Sequence, residues 1–405
     1  MNEEKLMDAR AKEKIREVVE VIKEEIIREL QPKSIFLKGS FGRDEVSVKF
    51  DNDLVIFLSD YEVIVIPNRS IKRQKVKKLS ENLTKKLGLK VEIATIEPEL
   101  KFCITTHLWN KILPTIENYE LKYGSKVIYG ENFLERLPNF KAEDIPMWEG
   151  IRLMLNRMIE SLQYFSIDYL NKYPSKEAEQ NLFFWTNKII LACQDALLIL
   201  AKRYHYSYKV RNETFQEIFP KHFKALDRQI PNFLPLTVKA TEYKLNPKEI
   251  YSKDVVEFWF DVAEIIDRIF RYIIEKDMGI TFNSYIEFQE KYLNHPYIRK
   301  KYYRGLSPNT IYQNLRSAAK ILALGHKVPS IKLMRKNMIP WTHIVYSMIP
   351  IAYFGLSKND RINEAYFERI REIISWFKGL KEPKRNSSDE CIKEQVLNLW
   401  YYICY

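Results

Sequence analysis

From about residue 146 onward the apolar residues recur every three or four positions, as in Ile151, Met154, Leu155, Met158, Ile159, Leu162 and Phe165. That period gathers them on one face of a helix and excludes alternating strands. The same pattern predicts helices over about 178–204, 253–277, 308–324, 331–355, 360–379 and 388–403. Ser307-Pro308 is a start signal, with serine as cap and proline in the first turn. The first 140 residues read differently. An amphipathic helix over 4–30, with Ile15, Val18, Val19, Ile22, Ile26 and Ile27 on one face, stops at Pro32. Short strands are predicted at 34–38, 53–58 and 89–96, with a further one at 126–129. Before the third, Ser70 is placed to cap a helix striped by Val76, Leu79, Leu83 and Leu87 and closed by Gly88.

The chain is therefore expected to be α+β, a small mixed-sheet domain followed by a large all-helical region. Its 405 residues suffice for two or three domains. The expected divisions are 1–140, 146–278 and 283–405, with linkers near 139–146, 277–283 and 381–388.

Lys and Arg exceed Asp and Glu by 65 to 53, a net charge of +12. Such an excess favours anionic partners, whether nucleoside triphosphates, nucleic acid or a membrane surface; a merely lysine-rich solvated surface gives the same number. Cys103, Cys193, Cys391 and Cys404 form no C-x-x-C pair, which argues against a zinc site and a disulfide framework. The N-terminal residues lack the apolar core of a secretory signal. The nearest approach to a membrane span, 339–356, holds Thr342, His343, Ser347 and two prolines, and reads as a buried helix pair. A soluble cytoplasmic protein without membrane contact is expected.

Glycine is scarce, 11 in all, yet two fall together in Gly39-Ser40-Phe41-Gly42 after the first strand. Glycine at such a turn lets backbone N–H groups approach phosphate oxygens, and Ser40 adds a hydroxyl. Asp51 and Asp53 follow about ten residues later, at the start of the predicted second strand. Alternate residues of a strand share a face, so both carboxylates leave together. Glu92 alternates with Val91 and Ile93 in the third strand. Three carboxylates at one sheet edge repel without a cation, and oxygen ligands suit Mg²⁺. The alternative stays open that Asp51-Asn52-Asp53 is an ordinary turn. Glu97 competes with Glu92 as the third acid, and five residues apart they face opposite ways.

The sequences Leu37-Lys-Gly39-Ser40-Phe-Gly-Arg43-Asp-Glu45, Asp51-Asn-Asp53-Leu-Val-Ile and Val91-Glu92-Ile93 together resemble the DNA polymerase beta superfamily of nucleotidyltransferases. The resemblance spans roughly residues 33–97. It implies a mixed sheet with helices on one side. It also implies transfer of a nucleoside monophosphate from an NTP, ATP among them, to an acceptor hydroxyl with release of pyrophosphate. By that likeness Gly39, Ser40 and Arg43 meet the triphosphate. Asp51 and Asp53 bind two Mg²⁺ or Mn²⁺ ions, and Glu92 binds the catalytic one. Two positions depart from the usual pattern: Asp44 stands where relatives often carry glycine, and Asn52 where they carry an apolar residue.

Further signals are weaker. Arg69, Lys72, Arg73, Lys75, Lys77, Lys78, Lys85 and Lys86 surround the helix before Glu92, as a polyanion surface or a solvated face. Lys188 and Tyr208 resemble the triphosphate and base clamp of poly(A)-polymerase-like enzymes. Arg299, Lys300, Tyr302, Tyr303 and Arg304 combine cations with aromatics, as single-stranded nucleic-acid contacts do. The expected function is nucleotidyl transfer to RNA, at a 3′ end. The alternatives are the same chemistry on a protein or small-molecule hydroxyl, and a non-catalytic nucleotide-binding relative.

Overall fold

Pro32 fixes where the first helix gives way to the sheet. α1 (Asn2–Leu30) ends as Gln31 takes a left-handed conformation, and the chain then enters β1 (Pro32–Lys38). The structure, a computed structural model, describes residues 2–51, 54–96, 113–247, 252, 254–296, 319, 341–357, 361–377 and 389–404. After β1 come the single turn α2 (Gly39–Gly42), β2 (Val48–Asp51), β3 (Leu54–Phe57) and β4 (Tyr61–Pro67). α3 (Arg73–Leu87), β5 (Val91–Thr95), α4 (Ile116–Gly124) and β6 (Lys126–Gly130) complete the mixed region.

β1 pairs antiparallel with both β4 and β6, while β4 and β5 run parallel, giving the order β5-β4-β1-β6. A parallel pair needs a crossover, and α3 supplies it. α3 begins after Lys72 with no side-chain cap, so Ser70 does not take the expected capping role. It ends at Gly88 (φ 63°), where the left-handed stop was expected. β2 and β3 form a separate two-stranded sheet rather than the single strand expected over 53–58.

Alternation sorts the sheet residues. Ile35, Leu37, Tyr61, Val63, Val65 and Val91 form one core with Ile22, Ile26 and Leu30 of α1 and Leu79 and Leu83 of α3. Phe36, Ile64 and Ile66 face the other way, against Phe133. Burying a side chain of this size contributes about 1.5–3 kcal/mol, so the six sheet residues facing the helices dominate the anchoring of α1 and α3.

The helical region contains α5 (Met147–Tyr164), α6 (Lys176–Leu200), α7 (Tyr208–His222), α8 (Lys224–Gln229), α9 (Phe233–Leu245), α10 (Val255–Met278), α11 (Tyr285–Asn294), α12 (Trp341–Phe354), α13 (Glu364–Trp376) and α14 (Asp389–Ile403). The short ladder Leu356–Ser357 with Arg361–Ile362 interrupts it. α13 starts later than expected because Asn363 caps it, accepting from the Tyr366 N–H. The stretch expected as a helix pair over 339–356 holds α12, one nearly wholly buried helix that contains Pro350. The helix expected over 308–324 falls outside the described residues, apart from Ala319. Among the described residues α6 is the one helix long and apolar enough to cross a membrane, and 83% of its apolar window is buried inside the protein.

The chain divides into two compact units. One joins 1–149 with 198–223 and 234–249; the other joins 150–197 with 224–233 and 250–405. In the first unit the sheet is accompanied by α7 and nearly all of α9. In the second, Trp259 of α10 packs on Phe165 with ring centroids 4.4 Å apart and donates its indole N–H to Ser161 Oγ at 2.9 Å.

Candidate active site

The turn after β1 is built around a carboxylate. Gly39 has φ +64°, and a Cβ placed there would lie 2.3 Å from Oε1 of Glu62. The left-handed backbone favours glycine, and a side chain there would push the Glu62 carboxylate aside. Two residues on, buried Phe41 stacks on Tyr61 with centroids 3.7 Å apart and meets Phe57 edge-on at 5.8 Å. These rings fasten the Gly39-Ser40 turn to the first residue of β4.

The register across the sheet then brings charged groups into a row. Lys38 of β1 pairs with Glu62 of β4, and Glu62 pairs with Glu92 of β5. All three lie on the face opposite α1 and α3, since each alternates with residues of that core. Asp60 stands immediately before β4. Two backbone contacts set its place: the Tyr61 N–H donates to the Lys90 carbonyl at 2.9 Å, and the Ser47 N–H donates to Ser59 Oγ at 3.1 Å. The second closes the base of the β2–β3 hairpin.

The acids are matched by ammonium groups. Lys38 Nζ lies 3.2 Å from Glu62, and Lys90 Nζ lies 3.5 Å from Asp60 while pairing closely with Glu92. The hydrogen bond to Glu92 leads in holding the Lys90 ammonium above the usual lysine range. At Lys38 burial is the largest single influence and works against the cation, but Glu62 together with Glu117 and Glu120 makes the net shift upward as well.

Asp51 ends β2, paired with Leu54, in the two-stranded sheet and not in the four-stranded one. Asp53 and Glu97 lie outside the described residues, as do Arg299, Lys300, Tyr302, Tyr303 and Arg304. Glu62 adjoins Gly39 and is the register partner of Glu92, and Asp60 shares Lys90 with Glu92; Asp60 and Glu62 are not among the residues expected from the sequence. Their signal was present: Asp60-Tyr61-Glu62 runs directly into the apolar stretch Val63-Ile-Val-Ile66. That stretch is β4, the antiparallel neighbour of β1, where no strand is expected from the sequence.

Arg43 and Tyr208 do come together, with the guanidinium 5.4 Å from the ring centroid. Arg43 is buried and already engaged, 3.2 Å from Glu120 and 3.5 Å from Glu45. Glu45 in turn accepts from Ser207 Oγ at 2.6 Å, the Tyr208 N–H at 3.0 Å and the Lys209 N–H at 3.1 Å. A carboxylate at a helix N-terminus is favoured by the orphan N–H groups and the dipole, so Glu45 ties the glycine turn to α7. Tyr204 donates to Glu120 at 2.6 Å, and Arg211 donates to Tyr204 at 3.0 Å. Lys188 belongs to the second unit, where its ammonium sits 4.0 Å from the Trp185 ring. The cations of and beside α3 are exposed; Lys75 and Lys86 pair with Glu29 and Glu25 of α1.

Among the described residues, no group of three or more His, Cys, Asp or Glu side chains is arranged to hold a metal ion. The acids are turned instead onto lysines. The donor set of Asp60, Glu62 and Glu92 nonetheless fits a hard divalent ion, because it offers only oxygen atoms. Lys90 already sets a positive charge against two of the three.

The family model of the nucleotidyltransferase domain matches residues 19–120, about a quarter of the chain. The match contains the glycine turn, the hairpin and all three acids. No curated protein matches the chain.

Proposed function

Starting from a nucleotidyltransferase domain over residues 19–120, consistent with the DNA polymerase beta superfamily, we propose that Asp60, Glu62 and Glu92 carry its chemistry. The observation that supports this most is the register row: Glu62 and Glu92 are directly paired, and Glu62 rests on Gly39. The reaction is attack of an acceptor hydroxyl on the α-phosphorus of an NTP. The bond from that phosphorus to the α–β bridging oxygen breaks, and pyrophosphate leaves.

In this reading Gly39 and Ser40 present their N–H groups and the serine hydroxyl to the triphosphate. Asp60, Glu62 and Glu92 would hold the divalent ions, Mg²⁺ or Mn²⁺, and a carboxylate oxygen of Glu92 takes the proton of the acceptor hydroxyl. The ions, when bound, supply charge stabilisation to the transferring phosphoryl group. The chain's own task is positioning. Arg43, Glu45 and Glu120 do so by bracing the turn against α7. Asp51 and Asp53 are the rival pair.

The acceptor is RNA. The net charge of +12 and the exposed cations of α3 favour a polyanion. Incubation with labelled NTP, Mg²⁺ and separate pools of RNA, protein and small metabolites tests this. Label in RNA is expected; label confined to protein or metabolites refutes the RNA acceptor, and absence of label in every pool refutes turnover.

A further inference from the structure

Lys90 occupies the place in the acid row where a cation is needed. Its ammonium is 3.5 Å from Asp60 Oδ2 and in an ion pair with Glu92. The backbone cannot withdraw it: the Lys90 carbonyl accepts from the Tyr61 N–H, and β5 begins one residue later. What can move is the side chain, which is 59% exposed, on a four-carbon stem. Lys38 is different. Its side chain is 31% exposed, and it pairs with Glu62.

An ammonium that touches two carboxylates satisfies the charge a divalent ion would otherwise satisfy, and both cannot hold the same oxygens at once. Resting on the reading that Asp60 and Glu92 are metal-binding carboxylates, we propose that Lys90 is a resident cation of the site. It keeps the two acids together before a metal ion arrives, and it competes with that ion for their oxygens. Lys90 is thus a positioning residue whose side chain leaves Asp60 and Glu92 when the ion enters. The direction of its effect sets this apart from a scaffold role. Loss of a scaffold loosens the acids and weakens metal binding, whereas loss of a competitor tightens it.

Mn²⁺ titration of the full chain, followed by the paramagnetic resonance signal of free Mn²⁺, tests the proposal. Lys90→Met is expected to bind Mn²⁺ about two- to fivefold more tightly than wild type, the scale of an exposed ion pair. Lys90→Arg, which restores the charge, is expected to return to wild-type affinity. Unchanged or weaker binding by Lys90→Met, with an unaltered circular-dichroism spectrum, overturns the proposal. The double variant Asp60→Asn with Glu62→Gln separates the two ideas. If it binds Mn²⁺ as wild type does, the carboxylate reading itself fails. If it loses binding while Lys90→Met is unchanged, only the role of Lys90 fails.

Discussion

Gly39→Ala should remove activity at modest cost to stability, and Gly88→Ala provides its matched control. Both glycines sit at nearly the same φ, +64° and +63°. A side chain in that conformation costs about 1–2 kcal/mol at either position. Around Gly88 nothing lies within 4 Å of the added Cβ, so that cost is the whole effect. At Gly39 the new methyl meets Oε1 of Glu62 at 2.3 Å and its Cδ at 2.9 Å. Those atoms end a flexible side chain, so Glu62 yields rather than the backbone. The Lys38–Glu62 pair, about a third exposed, adds no more than about 1 kcal/mol when broken. The two variants should therefore unfold in urea within about 1 kcal/mol of each other. Initial rates of label transfer should part them: Gly88→Ala near wild type, and Gly39→Ala lower by about 100-fold, the scale of a catalytic group displaced by about an ångström. Wild-type rates in Gly39→Ala would refute a catalytic Glu62. A loss of stability several kcal/mol beyond that of Gly88→Ala would refute the claim that Glu62 gives way.

Glu45→Gln should destabilise the first unit by about 2–4 kcal/mol in denaturant, since it strips the α7 N-terminus of its carboxylate and leaves buried Arg43 short of a partner; a change within 0.5 kcal/mol would contradict that bracing role. His343, wholly buried and hydrogen-bonded to Tyr292 at 2.6 Å, has its pKa lowered by burial from 6.5 to about 3. The native state keeps it neutral while the unfolded chain takes a proton below pH 6.5, so stability is full above that value and falls by up to about 1.4 kcal/mol per unit as pH drops toward 3. Melting temperatures of wild type and His343→Gln across that range should show the slope reduced in the variant; parallel slopes would contradict the assignment.

Much of the mixed domain was legible because its signals are local. Pro32 ends α1, Gly88 closes α3, and Val91-Glu92-Ile93 alternates as a strand open on one side does. The Gly39-Ser40 turn stood out because glycine is otherwise rare. What the sequence hid was pairing. Residues 48–67 contain three strands, and no local pattern tells which of them lies beside β1. The Asp51-Asn52-Asp53 stretch has the spacing from Gly39 expected of the metal-binding acids, and Asp51 pairs in the two-stranded sheet. The Ser47 N–H bond to Ser59 Oγ at the base of the β2–β3 hairpin depends on two serines with nothing unusual in their neighbours. Likewise, Glu45 read as part of a motif, but its partners at Ser207 and Tyr208 are some 160 positions away.

The most direct measurement is label transfer from NTP by two double variants of the full chain. Asp60→Asn with Glu62→Gln should abolish it, while Asp51→Asn with Asp53→Asn should leave it within a few-fold of wild type. The reverse outcome, transfer surviving the loss of Asp60 and Glu62 and failing on the loss of Asp51 and Asp53, would contradict the account.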